Sequence, residues 1–156
     1  MISIVMMSYL GHYPGARSNP IQKFNQAILV ADKSGIRFAI SNECFELWYL
    51  LHFCLVTDEQ TRKEYKPRLQ KHLDTHKIPI KYDKQGLYQE LKHLVPTAIK
   101  NAKTLLREIH VEPKETTFRK RYPGLDFAKT KPFTSVHDLV ETLNKELEKI
   151  GSEREA

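Results

Sequence analysis

The sequence predicts an α/β chain in which a small parallel α/β piece is followed by a helical majority. Two patterns carry that expectation. Between residues 20 and 56 a helical pattern, a glycine, a β-branched alternating run and a second apolar segment follow one another, as in part of a βαβ unit. From Leu87 to Ile109 apolar residues step by three or four, the strongest helical stripe in the chain. At 156 residues the length fits one globular unit with a real core.

In chain order, Met1–Met7 reads as a preceding strand, and Tyr9–Pro20, rich in Gly, Pro, Ser and Asn, as a loop. Pro20 suits a helix start, and Ile21, Phe24, Ala27, Ile28 and Ala31 keep helical spacing up to Gly35. Ile36–Ile40 alternates as a strand. Cys44–Val56 is almost wholly apolar and predicts a helix buried nearly all round. Asp58–Leu73 reads as a charged helix with a thin apolar face, and Thr75–Lys84 as a basic loop. Pro96 inside the long stripe predicts a kink or two abutting helices. Glu112–Lys131 is irregular. After Pro132, with Thr134 or Ser135 as cap, a last helix is expected to bury Val136, Leu139, Val140, Leu143 and Leu147. The expected organisation is an α/β portion over 1–56, a helical region over 57–150 packed on it, and a tail over 151–156.

With 25 Lys and Arg against 19 Asp and Glu, the net charge is +6. Residues 1–31 contain no Asp or Glu, and all three methionines lie in the first seven positions. No apolar run reaches the roughly 18 residues of a membrane span, and Met1–Leu10 lacks the features of a signal peptide. Cys44 and Cys54 frame no disulfide scaffold, so a cytoplasmic location is expected.

Several residues invite a chemical reading. Ser41 and Asn42 fall where a strand hands over to a helix. There they either present polar groups at the rim of a site or cap the helix. Glu46 is a carboxylate in an apolar run and shares a helical face with Asn42 and Tyr49. It either faces the positive helix N-terminus or serves as metal ligand, general base or anchor for a lysine. His52, six residues on, lies roughly 120° around the helix from Glu46, and is either a hydrogen-bonded core residue or catalytic. Trp48 is a core anchor. His72 and His76 have the i,i+4 spacing of a zinc clamp, without the glutamate that accompanies it in zinc-protease helices, and lie where the helix should fray, so two exposed histidines are expected. Basic residues with interleaved tyrosines, including Lys84, Lys100, Lys103, Arg119, Lys120 and Arg121, suit phosphate contacts on nucleic acid.

The stretch Phe24-Asn25-Gln26-Ala27-Ile28, then Gly35-Ile36, then Ala39-Ile40-Ser41-Asn42-Glu43-Cys44-Phe45-Glu46-Leu47-Trp48-Tyr49-Leu50-Leu51-His52-Phe53, resembles the RloB-like family. That family's hallmark is a Ser-Asn-Pro-Cys-Phe-Glu-Leu-Trp run ending in Leu-Leu-His-Phe, from which only Glu43 departs here. Weaker likeness continues through Ala98–Lys103 and Pro132–Val140. The resemblance implies a partial Toprim-like parallel core. It marks Ser41, Asn42, Cys44, Phe45, Trp48 and Phe53 as motif residues, with Glu46 and His52 as catalytic candidates. It further implies antiviral defence or restriction-associated work, an AAA-type ATPase partner, and magnesium-dependent cleavage of nucleic acid. Such chemistry needs a glutamate and an Asp-x-Asp to hold the ion. Where the family carries the Asp-x-Asp, this chain has the acid-free Met1–Pro20, so magnesium is expected for the intact family and no metal ligand is assigned here. The expectation is a chain missing its front and inactive alone. A shifted reading frame over codons 1–7 would account for it, because Met1–Ile2 and Met6–Met7 each then encode aspartate.

Overall fold

The computed structural model describes residues 4–9, 20–82, 85–108 and 125–154. Gly35 sets the first boundary. Helix α1 (Pro20–Lys33) ends in bonds from Ser34 N–H to Val30 O, Gly35 N–H to Asp32 O and Ile36 N–H to Ala31 O. Gly35 takes φ +67°, which a residue without Cβ adopts freely. The chain then reverses into strand β2 (Arg37–Asn42), which starts one residue later and ends two residues later than the alternating run suggests. Strand β1 (Ile4–Tyr9) pairs with it in parallel, Ile4 opposite Arg37 through Tyr9 opposite Asn42. The acid-free segment thus supplies the expected strand, which starts three residues and ends two residues later than expected.

On its other edge β2 meets a segment from far along the chain. Ser135 N–H donates to Ile40 O at 2.8 Å, Asn42 N–H donates to Phe133 O at 2.8 Å, and Ser41 forms an antiparallel bridge with Thr134. Alternation along β2 divides the core in two. Ala39 joins a large cluster with Leu47, Trp48, Leu50, Leu69, Leu73, Leu91 and Ala98, while Ile40 joins a smaller one with Ile28, Leu106, Phe127 and Phe133.

The apolar run after Asn42 departs from the expected long helix. Helix α2 is only Glu46–Leu50, and beyond it the bonds shorten to His52 N–H on Tyr49 O and Phe53 N–H on Leu50 O. Two side chains take carbonyls at this end: Asn101 Nδ2 donates to Leu51 O at 2.8 Å, and His52 Nδ1 bonds Trp48 O at 3.0 Å. Those groups satisfy a helix end that would otherwise bury orphan acceptors.

Helix α3 (Arg62–Thr75) starts four residues later than the charged pattern suggests, at a capping box. The Glu64 carboxylate accepts from both Thr61 N–H and Thr61 Oγ–H at 2.7 Å. Its buried stripe is Tyr65, Leu69 and Leu73. The long stripe divides as the proline implies, into α4 (Leu87–Leu91), a 3-10 turn (Lys92–Leu94) and α5 (Val95–Glu108). Pro96 sits in the first turn of α5, where its missing N–H costs nothing. Helix α6 (Val136–Arg154) continues through residues expected to form a tail. Leu147 is 66% exposed and Ala27 is also exposed, so neither packs as expected. The large cluster joins Cys44 and Trp48 to residues of α3, α5 and α6, so packing is continuous across the expected boundary at 56/57. Helix predominates among the described residues, and no described helix is long and apolar enough to cross a membrane.

Candidate functional site at the end of β2

The family-motif residues lie at the C-terminal end of β2, where parallel strands commonly present ligand sites. Ser41 and Asn42 are 2% and 1% exposed, which removes them from any rim. Neither caps α2, whose N-cap is Phe45 with no side-chain bond. Ser41 Oγ–H instead donates to Cys44 O at 2.8 Å, closing the turn. Asn42 Nδ2 donates to Phe127 O at 2.7 Å and Thr130 O at 2.6 Å, while its Oδ1 accepts Glu43 N–H at 2.8 Å. Both readings offered by the sequence, rim and cap, are therefore corrected. The Asn42 side chain ties the strand end to Phe127 and Thr130, a pairing invisible to local sequence because the partners lie 85 and 88 residues away.

Glu43, the one departure from the motif, has φ +67°. A proline ring holds φ near −65°, so a proline at this position could not take the same backbone. The Glu43 carboxylate is paired with the Lys131 ammonium, which also reaches Glu59 at 3.8 Å. Lys131 was not marked by any sequence motif. Its signal is only a cation in a segment that returns to the strand.

Glu46 is half-buried in the first turn of α2 and faces Cys44 and Tyr49. Burial first, then the Glu46 charge, pushes the Cys44 thiol up to about 12 from an ordinary value near 9. The same two causes raise the Tyr49 phenol. Glu46 therefore lies beside two groups that stay neutral.

His52 is 3% exposed, and burial holds its imidazole below the ordinary histidine value, so it is neutral at pH 7. Since Trp48 O can only accept, His52 Nδ1 carries the proton. Its ring packs edge-on against Trp48 at 5.1 Å. Trp48 is a core anchor, as the sequence reading has it. Phe45 packs on Tyr49 at 4.9 Å, and Phe53 stacks on His72 at 5.4 Å. Lys100 and Lys103 are exposed on α5, together with Arg107 on the same face, and Lys103 Nζ pairs with Glu141 at 2.6 Å. Lys84, Arg119, Lys120 and Arg121 lie outside the described residues.

The described residues do not fit a magnesium ion. Glu43 is neutralised by Lys131, and among the described residues no three His, Cys, Asp or Glu side chains converge as ligands.

The neutral Cys44 thiol has a consequence for stability. From about pH 9 to 12 the unfolded chain loses this proton while the folded chain keeps it, so stability falls as pH rises through that window. Tyr65, buried and raised by desolvation, acts in the same direction. Urea unfolding at pH 8 and pH 10.5 is expected to differ by about 2 kcal/mol from Cys44 alone. Cys44→Ala shrinks the difference; an unchanged difference in that variant would refute the assignment.

Compared with known proteins, residues 16–143 match the family model described as RloB-like protein. No curated protein and no solved structure matches the chain.

Proposed function

This chain belongs to the RloB-like protein family, and from that premise we propose that it is a nucleic-acid-binding protein of phage defence or restriction that does not cleave by itself. The parallel β1–β2 pair is read as part of a Toprim-like core. Magnesium-dependent phosphodiester cleavage is the activity the resemblance attaches to intact relatives, and no step of it is assigned to this chain. One observation carries the reading: the motif side chains at the strand end are spent on tethering and packing, while an exposed basic face stands on α5. Asn42 and Ser41 hold backbone carbonyls, Glu43 holds Lys131, and His52 is sealed against Trp48. Lys100 and Arg107, with Lys103 between them, present positive charge to solvent on a chain of net charge +6.

The test is retardation of labelled single-stranded RNA and DNA across a salt series, with and without magnesium. Binding without cleavage is expected, weakening steeply with salt, and Lys100→Ala should lower the slope of log affinity against log salt by about 0.7–0.9. Divalent-dependent cleavage abolished by chelation would overturn the non-cleaving reading.

A second reading is a helical interaction module that docks on an AAA-type ATPase. It is favoured by the far end of α6, where Leu147 and Ile150 are 66% and 47% exposed. Absence of any salt-sensitive nucleic-acid shift would favour this module.

A further inference from the structure

Away from the strand end, the turn after α2 meets α3 at a cluster that the family motif does not explain. Cys54 is half-buried, and its Sγ lies 3.6 Å from His72 Nε2 and 3.9 Å from Arg68 Nη2. Arg68 is itself held in place, its Nη1 donating to both Asp58 carboxylate oxygens at 3.0 Å. The His72 ring is fixed by Phe53, stacked 14° from parallel, and His76 leans on the same phenyl ring at 4.9 Å. Arg68 and His72, the two groups touching the sulfur, line an open cleft of about 730 Å³ together with Lys71, Thr75 and His76. A half-buried thiol beside a base and a fixed guanidinium, both of which line an open cleft, has the components of a reactive cysteine. Cys44, in the same molecule, has neither the guanidinium nor the cleft: it is 1% exposed and faces a carboxylate.

We propose that Cys54 is a peroxide-reactive thiol, activated by proton transfer to His72, which stands between the sulfur and this cleft. Cys54 Sγ gives its proton to His72 Nε2, and the sulfur attacks one oxygen of hydrogen peroxide. The S–O bond forms as the O–O bond breaks, and the departing hydroxide recovers the proton from the imidazolium as water. The cysteine is oxidised by two electrons to sulfenic acid and the peroxide is reduced to water. Arg68 places positive charge near the sulfur, and Lys71 adds a second cation to the cleft wall. Burial, followed by the charges of Arg68, His76 and Lys71, lowers the His72 imidazole, which is therefore neutral and able to accept at pH 7.

The experiment measures rates at both thiols of the full chain by peptide mass spectrometry. Iodoacetamide is the alkylating probe, and hydrogen peroxide with dimedone is the oxidising one. At pH 7 Cys54 is expected to react about tenfold or more faster than Cys44, with dimedone adducts confined to Cys54. The Cys54 rate should fall as pH drops through the histidine range, and His72→Gln should slow it about tenfold and remove that inflection. Protection of Cys44 in the same sample reports an intact core, so a variant that fails to fold declares itself, and the wild-type pH profile then decides. Comparable rates at the two thiols, or a Cys54 profile that His72→Gln leaves unchanged in a folded protein, would overturn the proposal.

Discussion

Asn42→Ala is expected to cost about 3–5 kcal/mol of folding stability, measured by urea unfolding. The wild-type amide serves three backbone groups, the carbonyls of Phe127 and Thr130 and the N–H of Glu43, the Thr130 bond being part-buried and the other two buried. Removing it leaves each of them without its partner, at about 1–3 kcal/mol per buried group. The segment around Phe127 and Phe133 should loosen from the strand, and protease sensitivity there should rise before the rest of the molecule unfolds. Asn42→Asp distinguishes hydrogen bonding from packing. It conserves volume but turns two donors into lone pairs facing carbonyl oxygens, so it should destabilise at least as much as alanine. An aspartate variant of wild-type stability would contradict the assigned amide orientation.

Trp48→Ala is expected to cost about 3–5 kcal/mol as well, by a different route. Trp48 is 5% exposed within the cluster that joins α2 to α3 and α5, and its ring forms one wall of the His52 site. Its removal leaves a cavity between elements that cannot close on it without moving α3. Set against the ~5–15 kcal/mol of a typical domain, the loss is enough to populate unfolded chain at 37 °C. Circular dichroism is the measurement, since Trp48 is the sole tryptophan and the variant has no indole signal. Trp48→Phe should recover part of the loss. A midpoint unchanged in Trp48→Ala would mean that the indole is not buried as described.

What was legible in the sequence follows the range of the forces involved. The limits of α1 and the division of α4 from α5 are decided within a few residues, by Gly35 and Pro96, and were readable. The length of α2 was not. An apolar run satisfies a buried helix and a buried turn equally, and here the carbonyls are taken by Asn101, fifty residues away, and by His52. The roles of Ser41 and Asn42 were misread for the same reason, their decisive partners being remote or in an unforeseen turn. Cys54 and His72 are only 18 residues apart, yet nothing local announces their contact, because a change of direction between α2 and α3 creates it. His72 drew attention only through its spacing from His76.

The antiparallel bridge on the free edge of β2 also constrains how the protein is made. Ile40 N–H donates to the Ser135 hydroxyl 95 residues ahead of it, and Ser135 N–H returns a bond to Ile40 O. On the ribosome the strand must therefore wait for those residues to be synthesised and to clear the exit tunnel, on the order of ten seconds at ordinary elongation rates. During that interval Ala39 and Ile40 have no lid, and the strand offers an unpaired edge to any neighbouring nascent chain. Translation speed downstream of α3, more than the stability of the finished fold, should then govern how much of this protein reaches its native state.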